Sequence, residues 1–291
     1  MRVWDDYEKR MFHDGAARLG LSDKQAKKIE LALTDDEAPR TFVSPNVSSI
    51  PYGAGIPIGT PVDALQSIAR DFADLELQAS WLKKQTPQIT VDIDQFSLSV
   101  FPVTRLERLL FELDEAQALY DREYLRHSIG VSTLFHPADM SHLTILERYI
   151  SWLSEKEGQT YRLPTEFEWE YAATGGDGRR YPWGDKWQQG LANTAELGIN
   201  TTLPVFVELC KQSETKFPIV GMAGNVEEIT SSEHKSYDQN AASELDGFAD
   251  LDPAHRVVRG GSFSKWRDLA SCQRRHSIWV GSAFGARLVR E

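Results

Sequence analysis

The sequence predicts an α+β fold: helices and short strands up to about residue 175, then a loop-rich remainder with little regular structure. Three observations lead there. Ser22–Gln25, Thr104–Glu107 and Thr165–Glu168 are capping boxes, a hydroxyl residue followed three positions later by Glu or Gln, each ahead of an apolar periodic run. Residues 88–101 alternate as a strand does. Beyond residue 175 the period fades, and Trp183, Trp187, Trp266 and Trp279 are scattered among Gly, Asn and Ser.

Residues 1–40 read as an N-terminal helical extension of two short helices, ahead of a domain over 41–291. Trp4, Tyr7 and Met11 fall on one face of the first helix, which Gly20 ends. Ile29, Leu31, Ala32 and Leu33 follow the Ser22 cap, and Ala38-Pro39 stops the second helix. Two readings stand: a helical hairpin packed on the main domain, or a docking arm for a partner.

Residues 41–60 combine three prolines and three glycines with Val and Ile, which suggests short extended pieces joined by tight turns. Thr60-Pro61 opens a helix with Leu65, Ile68, Phe72 and Leu75 inward. In 88–101 the alternation of Ile89, Val91 and Ile93 passes to Phe96, Leu98 and Val100 with a slip of phase near Asp94-Gln95. That slip predicts a strand pair with a turn or bulge between its halves. The Thr104 cap opens a helix burying Leu106, Leu109, Leu110 and Leu113. Another spans about Ser141 to Gly158, with Ile145, Tyr149, Ile150 and Leu153 inward. A third follows Thr165 and ends at Gly175-Gly176.

The chain has 291 residues, 41% of them hydrophobic, and a net charge of −11. Lys27-Lys28, Lys83-Lys84, Arg179-Arg180 and Arg274-Arg275 are isolated pairs rather than a basic stripe, which argues against nucleic acid or an anionic membrane surface as a partner. No apolar run approaches the roughly 20 residues that span a bilayer. The charged N-terminus does not resemble a secretory signal, so the expected location is the cytoplasm, with Cys210 and Cys272 as reduced thiols.

Six segments, in order, carry a resemblance: Ile89 to Thr104, ITVDIDQFSLSVFPVT; Tyr161 to Ala173, YRLPTEFEWEYAA; Tyr181 to Asp185, YPWGD, followed by Ala192-Asn193; Gly221 to Glu228, GMAGNVEE; Arg256 to Phe263, RVVRGGSF; and Gly285 to Arg290, GARLVR. Together they resemble the formylglycine-generating-enzyme family, also called sulfatase-modifying factors, over about residues 42–290. The resemblance implies a C-type-lectin-like fold.

It also implies where chemistry would lie. The family's oxygenases bind copper(I) through two cysteines shortly after Gly-Gly-Ser, since a soft monovalent ion favours paired thiolates. Here Cys272 takes the place of the second, while Ser264 or Lys265 falls near the first, so copper is not expected. A second branch of the family carries an iron site on an HxxxHxE run. None of His13, His127, His136, His142, His234, His255 and His276 has that spacing. Cys272 and His276 are a nucleophile and base if helical, or else an inert thiol and a hydrogen-bonded imidazole. Arg274, Arg275 and Arg287 either receive an anionic group or pair with internal carboxylates. The resemblance further implies calcium, with carbonyls from Gly224 and Val226, the Glu228 carboxylate, and Asn193 at the start of a second site.

The same fold serves as ligand-binding scaffold in variable proteins of diversity-generating retroelements. On that likeness, residues 263–284 are the binding surface for a protein or small-molecule ligand, through Phe263, Lys265, Trp266, Gln273, Arg274, His276, Ile278 and Trp279. Trp266 and Trp279 could equally be core fillers. The alternative is a metal-dependent oxidoreductase with a non-standard site around Cys272.

Overall fold

The computed structural model describes residues 3–35, 37–116, 119–128, 130–207, 216–238, 256–277 and 284–291. Helices α1 (Asp6–Arg18) and α2 (Asp23–Thr34) form a hairpin, each opened by a complete capping box, Asp5 with Glu8 and Ser22 with Gln25. The hairpin shares a core with the rest of the chain. Trp4, Phe12, Ala16, Ile29 and Leu33 pack with Leu106, Leu109, Leu110 and Leu113 of α5 (Arg105–Glu115) and with Phe135 and Phe206. The apolar face of α1 is therefore rotated from the expected one. Phe12, Gly15 and Ala16 are buried while Tyr7 is exposed, because Gly15 lets the ring of Phe135 lie directly on the helix.

Short strands β1 (Val47–Ile50) and β2 (Gly53–Ile58) come next, then α3 (Leu65–Asp71), entered through a 3-10 turn at Val62–Ala64, and the one-turn α4 (Ala79–Lys83). Strands β3 (Ile89–Ile93) and β4 (Phe96–Ser99) correct one expectation: they do not pair with each other. Among the described residues β3 pairs with β2 alone, whereas β4 lies between β1 and the C-terminal strand β10 (Val289–Arg290). The slip of phase at Asp94-Gln95 marks a change of sheet, each half burying its apolar side against a different partner.

Helix α6 (Leu119–Ser128) was not signalled by periodicity. Helix α7 (Leu143–Glu157) buries Leu146, Tyr149, Trp152 and Leu153 and ends on Gly158 in the left-handed conformation. Strand β5 (Tyr161–Arg162) leads into α8 (Glu166–Thr174), capped by Thr165 and Glu168 and closed by Gly175 at φ +68°. The second four-stranded sheet runs β8 (His276–Ser277), β7 (Arg256–Arg259), β6 (Glu227–Glu233) and β9 (Phe284–Ala286), with β9 parallel to β6. Among the described residues no helix is long and apolar enough to cross a membrane.

Candidate ligand surface

Helix α8 is the fulcrum of the C-terminal half. It is an apolar helix carrying two inward carboxylates, Glu166 and Glu170, four apart and both buried. Burial of a charge is tolerated only with partners, and two arginines supply them. Arg259, at the end of β7, reaches Glu166 Oε2 at 2.8 Å and Glu170 Oε2 at 3.0 Å. Arg275 donates from Nε and Nη2 to both oxygens of Glu166, each at 2.8 Å, and stacks its guanidinium 4.1 Å above the ring of Tyr237. The Tyr237 hydroxyl donates to Glu166 at 3.0 Å, and the backbone N–H of Gly59 donates to Glu170 at 2.7 Å. Burial raises Glu170 to about 7 despite Arg259 beside it.

This cluster fixes the segment after Gly260-Gly261-Ser262. Both glycines have positive φ, and a Cβ on Gly261 would lie 2.8 Å from the carbonyl carbon of Leu269, so the chain closes on itself there. The loop is tied at several points: Phe263 N–H donates to the Asn225 carbonyl, Lys265 N–H to Ser262, Ala195 N–H to Lys265, and Arg267 N–H to Glu196 Oε1. Trp266, on that tethered backbone, is 52% exposed. Phe263 and Lys265 beside it are part-exposed.

Of the residues expected on the surface, these three and His276 are at least partly exposed among the described residues. Gln273 and Arg274 are buried, which corrects the expectation. Gln273 donates to the carbonyls of Gly178 and Arg179, and Arg274 is occupied by Asp268 and the Trp81 carbonyl. His276 is partly exposed on β8, with Nδ1 3.0 Å from Glu227 Oε1. Ile278 and Trp279 lie outside the described residues, as do Cys210 and His255.

Cys272 is fully buried among Ile50, Ile56, Ile58, Leu98 and Trp169. Burial pushes its thiol well above the usual range, and the Glu170 carboxylate adds to the push. A catalytic thiolate needs the opposite environment. Cys272 lies in the apolar cluster, whereas His276 Nδ1 faces Glu227 at the edge of the second sheet. The inert reading of the thiol is the one the packing supports.

The calcium set fails a similar test. Glu228 is buried and accepts two hydrogen bonds from Arg287 and one from Trp169 Nε1, all at 2.7 Å. A cation there would meet a guanidinium. The Gly224 carbonyl accepts from Val226 N–H. Asn193 Oδ1 and Thr194 Oγ1 are buried oxygens without hydrogen-bond partners, a hard-donor chemistry that suits calcium, while the Asn193 amide nitrogen is taken up by Thr201 and Asn225. Among the described residues no three His, Cys, Asp or Glu side chains gather into a metal-holding group. Gly224, Val226 and Glu228 thus do not fit a calcium ion as one set, and Asn193 belongs to the separate second site.

What sequence reasoning missed is the Glu166–Arg259–Arg275–Glu170 cluster itself. Its signal was present in EFEWE: carboxylates four apart inside an apolar helix have to be answered by buried cations.

The family model of the sulfatase-modifying factor enzyme 1-like domain matches residues 70–291. The serine/threonine-protein kinase Pkn1 of Chlamydia trachomatis serovar L2 is 33% identical over 232 residues, 72% of this chain and 35% of that protein. The inactive C-alpha-formylglycine-generating enzyme 2 of Bos taurus is 33% identical over 135 residues, 43% of this chain and 38% of that one. The chain thus spans little more than a third of the length of these relatives. The solved structure of Treponema denticola variable protein 1 superposes with a TM-score of 0.61 at 15% identity, covering 86% of this chain and 96% of that one, which establishes a shared fold.

Proposed function

The chain belongs to the sulfatase-modifying factor family, and we propose that within it this chain is a binding protein whose ligand surface centres on Trp266, and not a formylglycine-generating catalyst. The observation that carries the reading is a half-exposed indole on a backbone tied from both sides. A large, rigid side chain held out to solvent loses little conformational entropy on binding and offers extensive contact area, which is why tryptophan dominates binding hot spots. Phe263 and Lys265 flank it, giving an aromatic and a cationic neighbour.

Two further points support the reading. The cysteine among the described residues is poor for oxidation chemistry, since Cys272 is a buried, protonated thiol within an apolar cluster. The fold is shared with a variable protein, and one curated relative carries the word inactive in its name. Kinase activity belongs to a relative of which this chain spans 35%, and nothing here extends it to the chain. The surface is narrower than residues 263–284, because Gln273 and Arg274 serve the scaffold.

Selection of a phage-displayed random-peptide library tests the proposal. Peptides should bind the wild-type protein and lose affinity for Trp266→Ala, while the variant keeps its circular dichroism spectrum and melting temperature. Binders indifferent to Trp266, or copper-dependent conversion of a cysteine peptide to formylglycine by the purified protein, would sink it.

A further inference from the structure

Beside the segment that carries Trp266 lies an open cleft of about 430 Å³, lined by Asp177, Arg179, Trp183, Gly184 and Asp185. We propose that this cleft is a second subsite of the same ligand surface, taking the basic side chain of a bound peptide, arginine or lysine, against the face of Trp183. The inference rests on the binding function proposed above and names the chemistry of one part of the ligand.

The cleft is a built one. Tyr181 and Gly184 exchange reciprocal backbone hydrogen bonds of 2.8 and 2.9 Å, which closes the turn that carries Trp183. The indole is fixed at its edge by donation from Nε1 to the Lys186 carbonyl at 2.9 Å. On one face the Tyr181 ring is stacked parallel at 5.2 Å between centroids. Trp187 meets the indole tilted by 59° at 5.7 Å between centroids, so two rings hold Trp183 in place, and of these three aromatics Trp183 alone lines the cleft. A π-face offered in a polar cleft attracts cations through the ring quadrupole.

The charges favour the same occupant. Arg179 is gripped by Asp177 through Nε and Nη2 and spends Nη1 on the Pro182 carbonyl, so its charge is answered within the cleft. Asp185 accepts only from the backbone N–H of Arg180, at 3.1 Å, and has no ion pair among the described residues. Arg179 feels Asp185 as well as Asp177, so two carboxylates answer one guanidinium and the lining keeps one net negative charge, in a chain whose net charge is −11 and whose field draws cations. The turn also belongs physically to the ligand-bearing segment. Cys272 N–H donates to the Arg180 carbonyl at 2.7 Å, and Gln273 holds the carbonyls of Gly178 and Arg179. A peptide crossing Trp266 therefore has this subsite on the same rigid support.

The test is a titration of uniformly ¹⁵N-labelled full chain with acetyl-arginine methylamide and, separately, with its neutral isostere acetyl-citrulline methylamide, followed at the tryptophan indole N–H signals. The Trp183 signal is assigned by its loss in Trp183→Phe. The arginine compound should shift it saturably, the citrulline compound should not, and Asp185→Asn should weaken binding about threefold, the size expected of an exposed ion pair. Equal shifts with both compounds, no shift with either, or indifference to Asp185→Asn would overturn the subsite. Because Asp185→Asn leaves the aromatic stack in place, it tests the idea even if Trp183→Phe folds poorly. Selected peptides that still bind through Trp266 when the arginine compound gives no shift would remove this inference alone; absence of such peptides would remove the binding function itself.

Discussion

Arg287 and Glu228 meet as a two-pronged pair inside the protein, Nε and Nη2 each donating at 2.7 Å to a carboxylate oxygen, with both side chains buried. The same guanidinium also donates to the carbonyls of Ser99, Val100 and Val220, so one side chain joins the end of β4, the second sheet and the loop before β6. Glu228→Gln leaves that charge among neutral carbonyls only. Removing one partner of a buried pair costs about 3–5 kcal/mol, and urea denaturation should register a loss of that order. The loss should be equal in millimolar calcium and in EDTA. A loss confined to calcium-containing buffer would return Glu228 to the role of metal ligand.

Cys272 should behave as a core residue. In native protein at pH 8, iodoacetamide should leave the peptide containing Cys272 unmodified, and the same peptide should be modified fully in urea. Its position among Ile50, Ile58 and Trp169 and its raised pKa both oppose thiolate formation. Cys272→Ala should leave Trp266-dependent peptide binding unchanged. Rapid native alkylation, traced by peptide mass spectrometry, would contradict this packing.

Local grammar made much of the fold legible. The Ser22, Thr104 and Thr165 capping boxes each open a helix where read, and Gly158 and Gly175 close theirs. What lay hidden was set by distant partners. Ile89 to Ser99 reads locally as a strand pair, but the destination of each half depends on β2 and β10, about 35 residues before and 190 after. Tyr7 looks like a core residue until Gly15 and Phe135 decide which face of α1 is covered. At the site, Trp266 was readable as a candidate, whereas Gln273 and Arg274 were not separable from it. Exposure in a segment without period depends on which carbonyls and carboxylates the rest of the chain brings near.

Stability should fall as pH rises above neutrality. Burial lifts Glu107 to about 7, against the hydrogen bonds it accepts from Thr104, and lifts Glu170 to a similar value. An acid whose folded pKa exceeds its unfolded one, 4.5 here, binds more protons in the native state between those values. Its stabilising contribution is complete below 4.5 and is lost as pH rises through 7. His136 and His234 act oppositely. Burial lowers them to about 4 and about 3, so their contribution is present above 6.5 and is lost as pH falls through those values. Between 4.5 and 6.5 the two effects offset each other, and from pH 6.5 to 8 the glutamates act without that offset. Denaturation at constant ionic strength should therefore show lower stability at pH 8 than at 6.5, and Glu107→Gln should shrink the difference. An unchanged difference in the variant would mean that Glu107 is ionised throughout.

Gly261→Ala separates the support of the ligand surface from the surface itself. Gly261 sits at φ +68°, where a side chain is strained by about 1–3 kcal/mol. The added Cβ would also fall 2.8 Å from the Leu269 carbonyl carbon and 2.9 Å from the Ala270 nitrogen, backbone atoms that cannot swing aside. The loop must open, and it is the loop whose hydrogen bonds from Leu269 N–H to Trp266 and from Ala195 N–H to Lys265 hold the indole outward. Gly261→Ala should therefore lower both the melting temperature and peptide affinity, whereas Trp266→Ala lowers affinity alone. If Gly261→Ala melted earlier yet bound selected peptides as tightly as wild type, Trp266 would not depend on a preorganised backbone, and the contact area of the side chain by itself would have to account for binding.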